Sequence, residues 1–184
     1  IGVLFAVKVE MTQMPQMVAI FNGFGGGASA LIASAEYLSN YQNNSLSMFL
    51  VVTITLSVFI GTLTLTGSFI AFGKLQGFIS GQPILFPGQQ PFNALLAIGI
   101  VVSSYLLASG NLDNLNTFYA IIAISALMGI TLTIPIGGAD MPVVISLLNS
   151  YSGVAASATG FVLMNNGLII AGALVGASGL ILTN

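Results

Sequence analysis

Long apolar runs separated by short polar breaks make up almost the whole chain, and this pattern predicts membrane-spanning helices. A helix needs about 20 mostly apolar residues to cross roughly 30 Å of hydrocarbon. Runs of about this length predict six full spans, over residues 15–37, 46–72, 92–109, 115–136, 141–164 and 167–182. Residues 1–9 are expected to be the tail of an N-terminal helix. The predicted fold is an all-α, polytopic transmembrane helix bundle that forms one domain over residues 1–184.

Prolines and polar residues set the expected ends of several spans. Pro15 and Pro142 suit the first turns of the first and fifth helices, because proline has no N–H to leave unpaired there. Residues 40–45 are predicted to form a polar loop, and Lys74 is expected just beyond the end of the second helix. These breaks separate the spans without leaving room for a soluble domain.

The composition agrees with an integral membrane protein. Of the 184 residues, 56% are hydrophobic and 3% are charged, whereas soluble domains carry about 25% charged residues. The absence of cysteine and histidine excludes disulfides, Cys/His zinc sites and Ser-His-Asp catalysis within the chain. Two lysines cannot neutralise a phosphate backbone, so nucleic acid is not an expected partner. The chain starts at Ile1 without a signal-peptide pattern, and we expect a fragment of a longer polypeptide.

The few charged residues predict the orientation of the bundle. With six spans, the segment before the first helix, the loop after the second and the C-terminus share one side of the membrane. Lys8 and Lys74 lie on that side, and Glu36 and Asp113 lie on the other. By the positive-inside rule, the lysine side is the cytoplasm, or the matrix in a mitochondrion.

Two asparagines lie well inside predicted spans, where lipid makes a polar group costly. Asn22 is about 10 Å into the first helix and Asn149 about 13 Å into the fifth, so both are expected at nearly equal depth. Each belongs to a stripe of small and polar residues that should face other helices. The stripes comprise Ala19, Asn22, Gly26, Ser29, Ala33 and Glu36, and Ser146, Asn149, Gly153, Ala156 and Gly160. The opposite, bulky stripe of the fifth helix comprises Val144, Leu147, Tyr151, Val154 and Phe161.

Two interpretations of these asparagines stay open on the residues alone. They are either interhelical hydrogen-bond glue, worth about 1 kcal/mol each, or groups that hold water in a proton path. A carboxamide does not titrate near neutral pH, so neither residue can carry the proton itself. Such a path would be a water wire, or would use an ionisable group from a helix outside this sequence.

Other candidates also have a structural and a functional explanation. Asp140 is either a helix N-terminal carboxylate stabilised by the dipole or part of a surface site. Glu36, at the far end of the first stripe, either faces interfacial water or forms a channel mouth. Gly172, Gly176 and Gly179 mark a GxxxG-type face that packs against a neighbour or provides a flexible connection.

No cofactor or metal is expected to bind to this chain. The glycine-rich run over residues 23–27 invites comparison with a dinucleotide fingerprint. That fingerprint follows a strand and opens a helix, whereas this run has no preceding strand and lies inside a span. The same objection covers the other glycines.

Five motifs occur in order along nearly the whole chain: KVEMTQMPQMVAIFN at 8–22, TGSFIAFGKLQG at 66–77, GGADMPVV at 137–144, LNSYSG at 148–153 and GALVGASG at 172–179. Together they resemble the membrane domain of proton-translocating nicotinamide nucleotide transhydrogenase, in its NADP-binding or beta subunit. The resemblance implies an enzyme that passes hydride between NADH and NADP, in most cases using the proton gradient to drive NADPH formation. Soluble domains absent from this chain would bind NAD(H) and NADP(H), and the NADP-binding domain would follow Asn184.

The resemblance also implies roles for single residues. Asn22 corresponds to a proton-channel position that is histidine in many relatives, and Asn149 to a channel asparagine. Asp140 corresponds to a carboxylate near the NADP-binding domain. Because an asparagine cannot be protonated as an imidazole can, we favour hydrated asparagines that gate access. The predicted channel set is Asn22, Asn149, Ser146 and Glu36, and the predicted coupling set is Asp140, Gly172, Gly176 and Gly179.

The implied partners are the lipid membrane, an alpha subunit or NAD-binding domain, the NADP-binding domain and a second protomer in a homodimer. The expected location is the bacterial cytoplasmic (inner) membrane rather than the mitochondrial inner membrane. Two competing interpretations stay open. One is a secondary transporter or channel with no attached enzyme, although such folds often show repeat halves or broken helices. The other is an assembly scaffold, in which the asparagines serve assembly alone.

Overall fold

The computed structural model describes residues 9–43, 45–109 and 114–183, which form six α-helices joined by short connections. In chain order the helices are α1 (Met14–Gln42), α2 (Met48–Leu75), α3 (Gln89–Ser109), α4 (Asn114–Thr133), α5 (Met141–Val162) and α6 (Asn166–Leu182). Short 3₁₀ turns at Met11–Gln13 and Gly138–Asp140 lead into α1 and α5. Lys8 and Asp113, used above to predict the orientation, lie outside the described residues, as does nearly all of the predicted N-terminal tail.

Five of these helices, α1 to α5, are long and apolar enough to cross a membrane, judged by length and composition. α6 has 17 residues, which gives a length of about 25 Å, at the short end of the range for a span. The predicted helical membrane bundle is therefore confirmed in the described part of the chain, as five long helices and one shorter apolar helix.

Two polar residues that were expected outside helices lie within them. α1 continues to Gln42, because Asn40 donates a side-chain hydrogen bond to the Glu36 carbonyl at 2.8 Å and so stays within the helical turn. Lys74 lies in the last turn of α2 rather than beyond its end. The predicted polar breaks were therefore placed too early along both helices.

Prolines explain two further differences at helix ends. α4 ends at Thr133, three residues before the predicted end, because Pro135 disfavours a helical conformation at the residue before it. α3 begins at Gln89, three residues before the predicted start, because Pro91 is tolerated in a first turn where no intrahelical N–H partner is needed. Pro15 and Pro142 occupy the first turns of α1 and α5, as predicted.

α2 is the centre of the bundle. It packs against α1 and α5 on one side and against α4 on another, whereas α3 packs mainly on α4 and α6 on α5. Small residues permit the closest of these contacts, since α1 buries Gly23, Gly26 and Gly27 against α2. α1, α2 and α5 therefore form the inner layer in which polar groups can be shielded from lipid.

Several connections meet at one end of the bundle, which we call the Lys74 end. The Gly138 N–H donates to the Gly81 carbonyl at 2.8 Å, and the Lys74 ammonium donates to the Ile136 carbonyl at 2.8 Å. The α2–α3 loop and the α4–α5 connection therefore lie side by side. An apolar cluster that includes Met141 and Ala71 lies directly beneath them.

Candidate functional site

Asn22 lies buried where α1 meets α2 and α5. Its side chain is 8% exposed, and its Nδ2 donates to the backbone oxygen of Ile145 at 3.2 Å. The amide therefore joins α1 to the second turn of α5. Leaving a buried amide without such a partner costs about 1–3 kcal/mol, so this bond fixes how the two helices are aligned.

Asn149 lies one helical turn beyond Ile145 on α5, about 6 Å further along the axis. It is half-buried, rather than fully buried as expected, and its side chain makes no hydrogen bond to any described residue. The two asparagines thus lie on adjoining helices at depths that differ by about one turn. The carboxamide of Asn149 is available to bind water.

Ser68 on α2 is a polar residue that the sequence analysis missed. Its side chain is 0% exposed, and its Oγ has no hydrogen-bond partner among the described residues. It faces α1 beside Asn22, since a Cβ added to Gly23 would lie 3.2 Å from the Ser68 Cβ. Buried hydroxyls nearly always have a partner, so this unpaired one marks a position suited to water. A signal for it was present in a stripe with the same spacing as that of α1: Ser57, Gly61, Thr64 and Ser68.

A second group of polar side chains joins the same three helices further from the Lys74 end. The Ser57 Oγ lies 2.6 Å from the Thr159 Oγ1 and 3.3 Å from the carbonyl oxygens of Ser29 and Ala155. Both hydroxyls are almost fully buried. In contrast to Ser68, they are satisfied by protein partners, which is the arrangement expected of interhelical hydrogen-bond glue.

Between these two polar layers the backbones of α1 and α2 touch. A Cβ added to Gly61 would lie 2.5 Å from the Gly26 oxygen, and one added to Gly26 would lie 2.8 Å from the Gly61 oxygen. Thr64 packs against the same point, and its own hydroxyl donates to the Ile60 carbonyl at 2.7 Å. The crossing leaves no space for a side chain between the α1 and α2 backbones at a depth between the two polar layers.

Two of the predicted channel residues lie away from Asn22. Glu36 is half-buried near the opposite end of α1, about 21 Å along the axis, and its carboxylate accepts a hydrogen bond from Asn40 at 3.4 Å. The Ser146 hydroxyl donates to the Gly179 carbonyl at 3.3 Å, so it faces α6 rather than α1. Asn22 and Ser68 lie on facing sides of α1 and α2, and Asn149 lies about one helical turn further along α5. Glu36 and Ser146 are not part of this group.

The predicted stripes hold for α1 and fail in part for α5. On α1 the stripe residues from Ala19 to Ala33 are buried and Glu36 is half-buried, whereas the bulky Phe21 and Phe24 are exposed. On α5, Val144 belongs to the buried apolar cluster although it was assigned to the bulky outer stripe. The reason is that α5 packs on two sides, against α1 and α2 and against α6.

The predicted glycine face of α6 packs directly on α5. Gly172, Gly176 and Gly179 are the buried residues of this helix. A Cβ added to Gly172 would lie 2.6 Å from the Gly153 carbonyl oxygen, and the Ser150 hydroxyl donates to the Gly176 carbonyl. Backbone contact and serine-to-carbonyl bonds therefore hold α6 in place, and the packing explanation accounts for all three glycines.

Asp140 lies on the surface at the Lys74 end. It ends the 3₁₀ turn before α5 and is exposed, and its side chain makes no capping hydrogen bond. A carboxylate at a helix N-terminus is favoured by the dipole. Because none of its oxygens is used to cap the helix, the carboxylate can also meet a partner that approaches this end of the bundle.

The buried site consists of amide and hydroxyl side chains. Within the described residues, no cluster of three or more His, Cys, Asp or Glu side chains could hold a metal ion. Amides and hydroxyls both donate and accept hydrogen bonds. The arrangement is therefore suited to binding and orienting water inside the bundle.

Comparisons with known proteins agree along the whole chain. A family model described as NAD(P) transhydrogenase beta subunit matches residues 1–184. A protein named NAD(P) transhydrogenase subunit beta from Rhodospirillum rubrum is 46% identical over 188 residues, which cover 100% of this chain and 40% of that relative. A second protein of the same name, from a defined strain of that species, matches to the same extent. The chain thus spans 40% of the length of these relatives.

Proposed function

The chain belongs to the NAD(P) transhydrogenase beta-subunit family, and we propose that it supplies the membrane passage for protons in that enzyme. Its task is to move protons across the bilayer in step with hydride transfer between NADH and NADP, which takes place elsewhere in the complex. One observation carries the proposal: α1, α2 and α5 bring Asn22, Asn149 and the unpaired buried hydroxyl of Ser68 to within about one helical turn of each other in depth.

The passage works through water rather than through a titrating side chain. The side chains of Asn22, Ser68 and Asn149 do not ionise near neutral pH, but each can bind water with donors and acceptors on the same side chain. Water held in this way gives a proton a path from the Lys74 end to the middle of the bundle. The Gly26–Gly61 crossing closes that path, so passage requires α1 and α2 to separate there.

The chain performs only the membrane part of the reaction. Its described residues form helices without strands, so they do not fit the strand–turn–helix unit that holds a dinucleotide. We therefore assign the binding of NAD(H) and NADP(H), and hydride transfer, to other domains of the enzyme. Asp140 lies at the end that would meet the NADP-binding domain, and Gly179 is the α6 glycine nearest to that end, since it packs against Ser146 and Ser150.

The assembled enzyme contains this bundle, an alpha subunit or NAD-binding domain, and an NADP-binding domain that follows Asn184. Two protomers form a homodimer in the bacterial cytoplasmic membrane. The bacterial relatives support this location over the mitochondrial inner membrane. The side that carries Lys74 and Asp140 faces the cytoplasm, which agrees with the positive-inside rule.

Replacing Asn149 by leucine tests the passage. The change removes a water ligand and keeps the number and branching of the side-chain heavy atoms, so we expect proton-coupled turnover of the complete enzyme to fall about tenfold. Hydride exchange between nucleotides that stay bound should be spared, because it needs no net proton movement. The matched control is Asn166→Leu, the same change at an exposed residue. Proton pumping at the wild-type rate in Asn149→Leu would remove Asn149 from the passage.

Replacing Ser68 by alanine separates a water site from simple packing. An unpaired buried hydroxyl contributes nothing to stability, so Ser68→Ala should leave assembly unchanged or improve it. If the hydroxyl holds water in the passage, proton-coupled turnover should nevertheless fall several-fold. Ser125→Ala is the control, since Ser125 is equally buried but bonds within its own helix, to Ile121. Equal coupled rates in the two variants would contradict the role given to Ser68.

A further inference from the structure

Lys74 is a buried cation whose three ammonium hydrogens meet three backbone carbonyls. The side chain is 4% exposed. Its Nζ donates to the oxygens of Ile134 at 2.6 Å, Ile136 at 2.8 Å and Gln82 at 3.1 Å. An ammonium group has three donors and no acceptor, so this arrangement uses its full hydrogen-bonding capacity. Within the described residues its partners are carbonyl groups rather than carboxylates.

The three carbonyls belong to two separate connections at the Lys74 end. Gln82 lies in the α2–α3 loop, whereas Ile134 and Ile136 lie between α4 and α5. Two further bonds join the same connections: the Gly138 N–H donates to the Gly81 carbonyl at 2.8 Å, and the Ile84 N–H donates to the Ile134 carbonyl at 3.4 Å. The α2–α3 loop and the α4–α5 connection therefore form one layer of backbone, which the Lys74 ammonium joins to α2.

This layer carries Asp140 and leads directly into α5. The Gly138–Asp140 turn begins at the residue that bonds to Gly81, two residues beyond the Ile136 carbonyl. A displacement of the Asp140 turn therefore acts on carbonyls that the Lys74 ammonium holds. Because the Gln82 carbonyl shares this ammonium, the α2–α3 loop is drawn into the same movement.

α2 extends from this layer into the polar site. Ser68 lies six residues before Lys74 on the same uninterrupted helix, about 9 Å along its axis. The Gly61 crossing with α1 lies two turns further on. α2 thus runs as one uninterrupted helix from Lys74 to the unpaired hydroxyl of Ser68, and then to the Gly61 contact with α1.

A purely structural purpose explains this lysine poorly. Burying a charge is costly, and a well-packed apolar residue often stabilises such a position as well or better. What an ammonium provides, and an apolar side chain does not, is simultaneous directional bonding to two connections and a helix end. We propose that Lys74 is a positioning residue, which transmits movement of the Asp140 turn to α2 and so to the closed crossing. This inference rests on the proposed function, since it assigns the link between that function's surface and its passage.

The test compares Lys74→Met with Lys74→Arg in the complete membrane-bound enzyme. Methionine keeps most of the length of the side chain and removes the charge, whereas arginine keeps a charged donor. We expect Lys74→Met to lower proton-coupled hydride transfer about tenfold, with exchange between bound nucleotides within about twofold of wild type. Lys74→Arg should keep more of the coupled rate. An equal fall in both reactions, or no fall in either, would overturn the inference.

A second pair of variants decides the matter if Lys74→Met does not reach the membrane. Gly138→Pro removes the N–H that bonds to Gly81, and the extended Gly137 before it accepts a following proline. Gly138→Ala keeps that N–H, and its added Cβ would lie at an ordinary 3.5 Å from the Gly81 oxygen. A selective loss of the coupled reaction in Gly138→Pro alone supports the link, and identical behaviour of the two variants rejects it.

The role proposed for Lys74 can be tested separately from the proposed proton passage. If Asn149→Leu loses pumping while the Lys74 and Gly138 variants behave as wild type, the passage stands and the link is wrong. If Asn149→Leu pumps normally while Lys74→Met loses the coupled reaction selectively, the link stands and the passage does not run past Asn149.

Discussion

Replacing Gly172 by alanine is expected to prevent α6 from seating on α5. The added Cβ would lie 2.6 Å from the Gly153 carbonyl oxygen and in contact with the Ser157 backbone nitrogen. Both atoms belong to the backbone of α5, so neither can turn aside as a flexible side chain would. Overpacking of this kind costs about 1–3 kcal/mol, and we expect the upper part of that range. The measurement is thermal loss of the folded enzyme in detergent, followed by size-exclusion chromatography.

Gly99→Ala is the matched control for this change. Gly99 also lies inside a helix, but its added Cβ would meet only the end of the Ile124 side chain, at 3.6 Å. Alanine favours a helix over glycine by up to about 1 kcal/mol, so this variant should be as stable as the wild type or more so. If Gly172→Ala and Gly99→Ala melt together, the α5–α6 contact described above is wrong.

Replacing Asn22 by leucine is expected to have the largest effect on proton movement. Leucine fits the space of the asparagine approximately, yet it removes the donor to the Ile145 carbonyl and places an apolar group beside the unpaired Ser68 hydroxyl. Water bound at this layer would lose a partner on one side and gain an apolar wall. We expect proton-coupled turnover to fall about a hundredfold, twice the free-energy loss expected for the half-buried Asn149.

Asn22→His shows whether donor chemistry, rather than volume, matters at this position. The family resemblance implies a histidine at this position in many relatives, and an imidazole ring carries an N–H that can replace the amide donor. We expect this variant to retain more of the coupled rate than Asn22→Leu does. The other possible result is that Asn22→Leu assembles poorly, while the enzyme that does assemble pumps protons at the wild-type rate. In that case Asn22 serves only to join the helices, and the scaffold interpretation gains support.

The helices were predictable because the membrane imposes a simple rule on the sequence. In hydrocarbon every backbone group needs an internal partner, so long apolar runs can only be helices. Their ends were less predictable, because single side chains decide them. Asn40 bonds back to the Glu36 carbonyl and extends α1, whereas Pro135 shortens α4. Neither effect follows from average hydropathy.

The site was predictable in part, and the missing part depends on packing between helices. Asn22 stood out because amides are rare inside spans, and its stripe identified the buried face of α1. Ser68 did not stand out, because a serine in a span usually bonds to its own helix, as Ser125 does with Ile121. Its unpaired hydroxyl becomes visible only when α1 is placed beside α2.

Residues on α5 show that one stripe of small and polar residues does not identify every buried position of a helix. A helix that packs on one side has one buried face, and the sequence alone does not say how many neighbours a helix has. α5 lies between the inner layer and α6. For this reason Val144 is buried although it was assigned outward, and Ser146 turns to the Gly179 carbonyl rather than to Asn22.

The partners of Lys74 also bear on how the protein is made. Two of the three carbonyls that receive its ammonium come 60 and 62 residues later in the chain. While α2 enters the bilayer during synthesis, the lysine has no such partners, and the orientation proposed above, with Lys74 on the cytoplasmic side, would spare its charge from being carried across. Once α4 has been inserted, the same charge becomes enclosed. A residue that first directs insertion is thus locked in the finished fold, and α2 cannot be reversed afterwards without breaking bonds to segments made later.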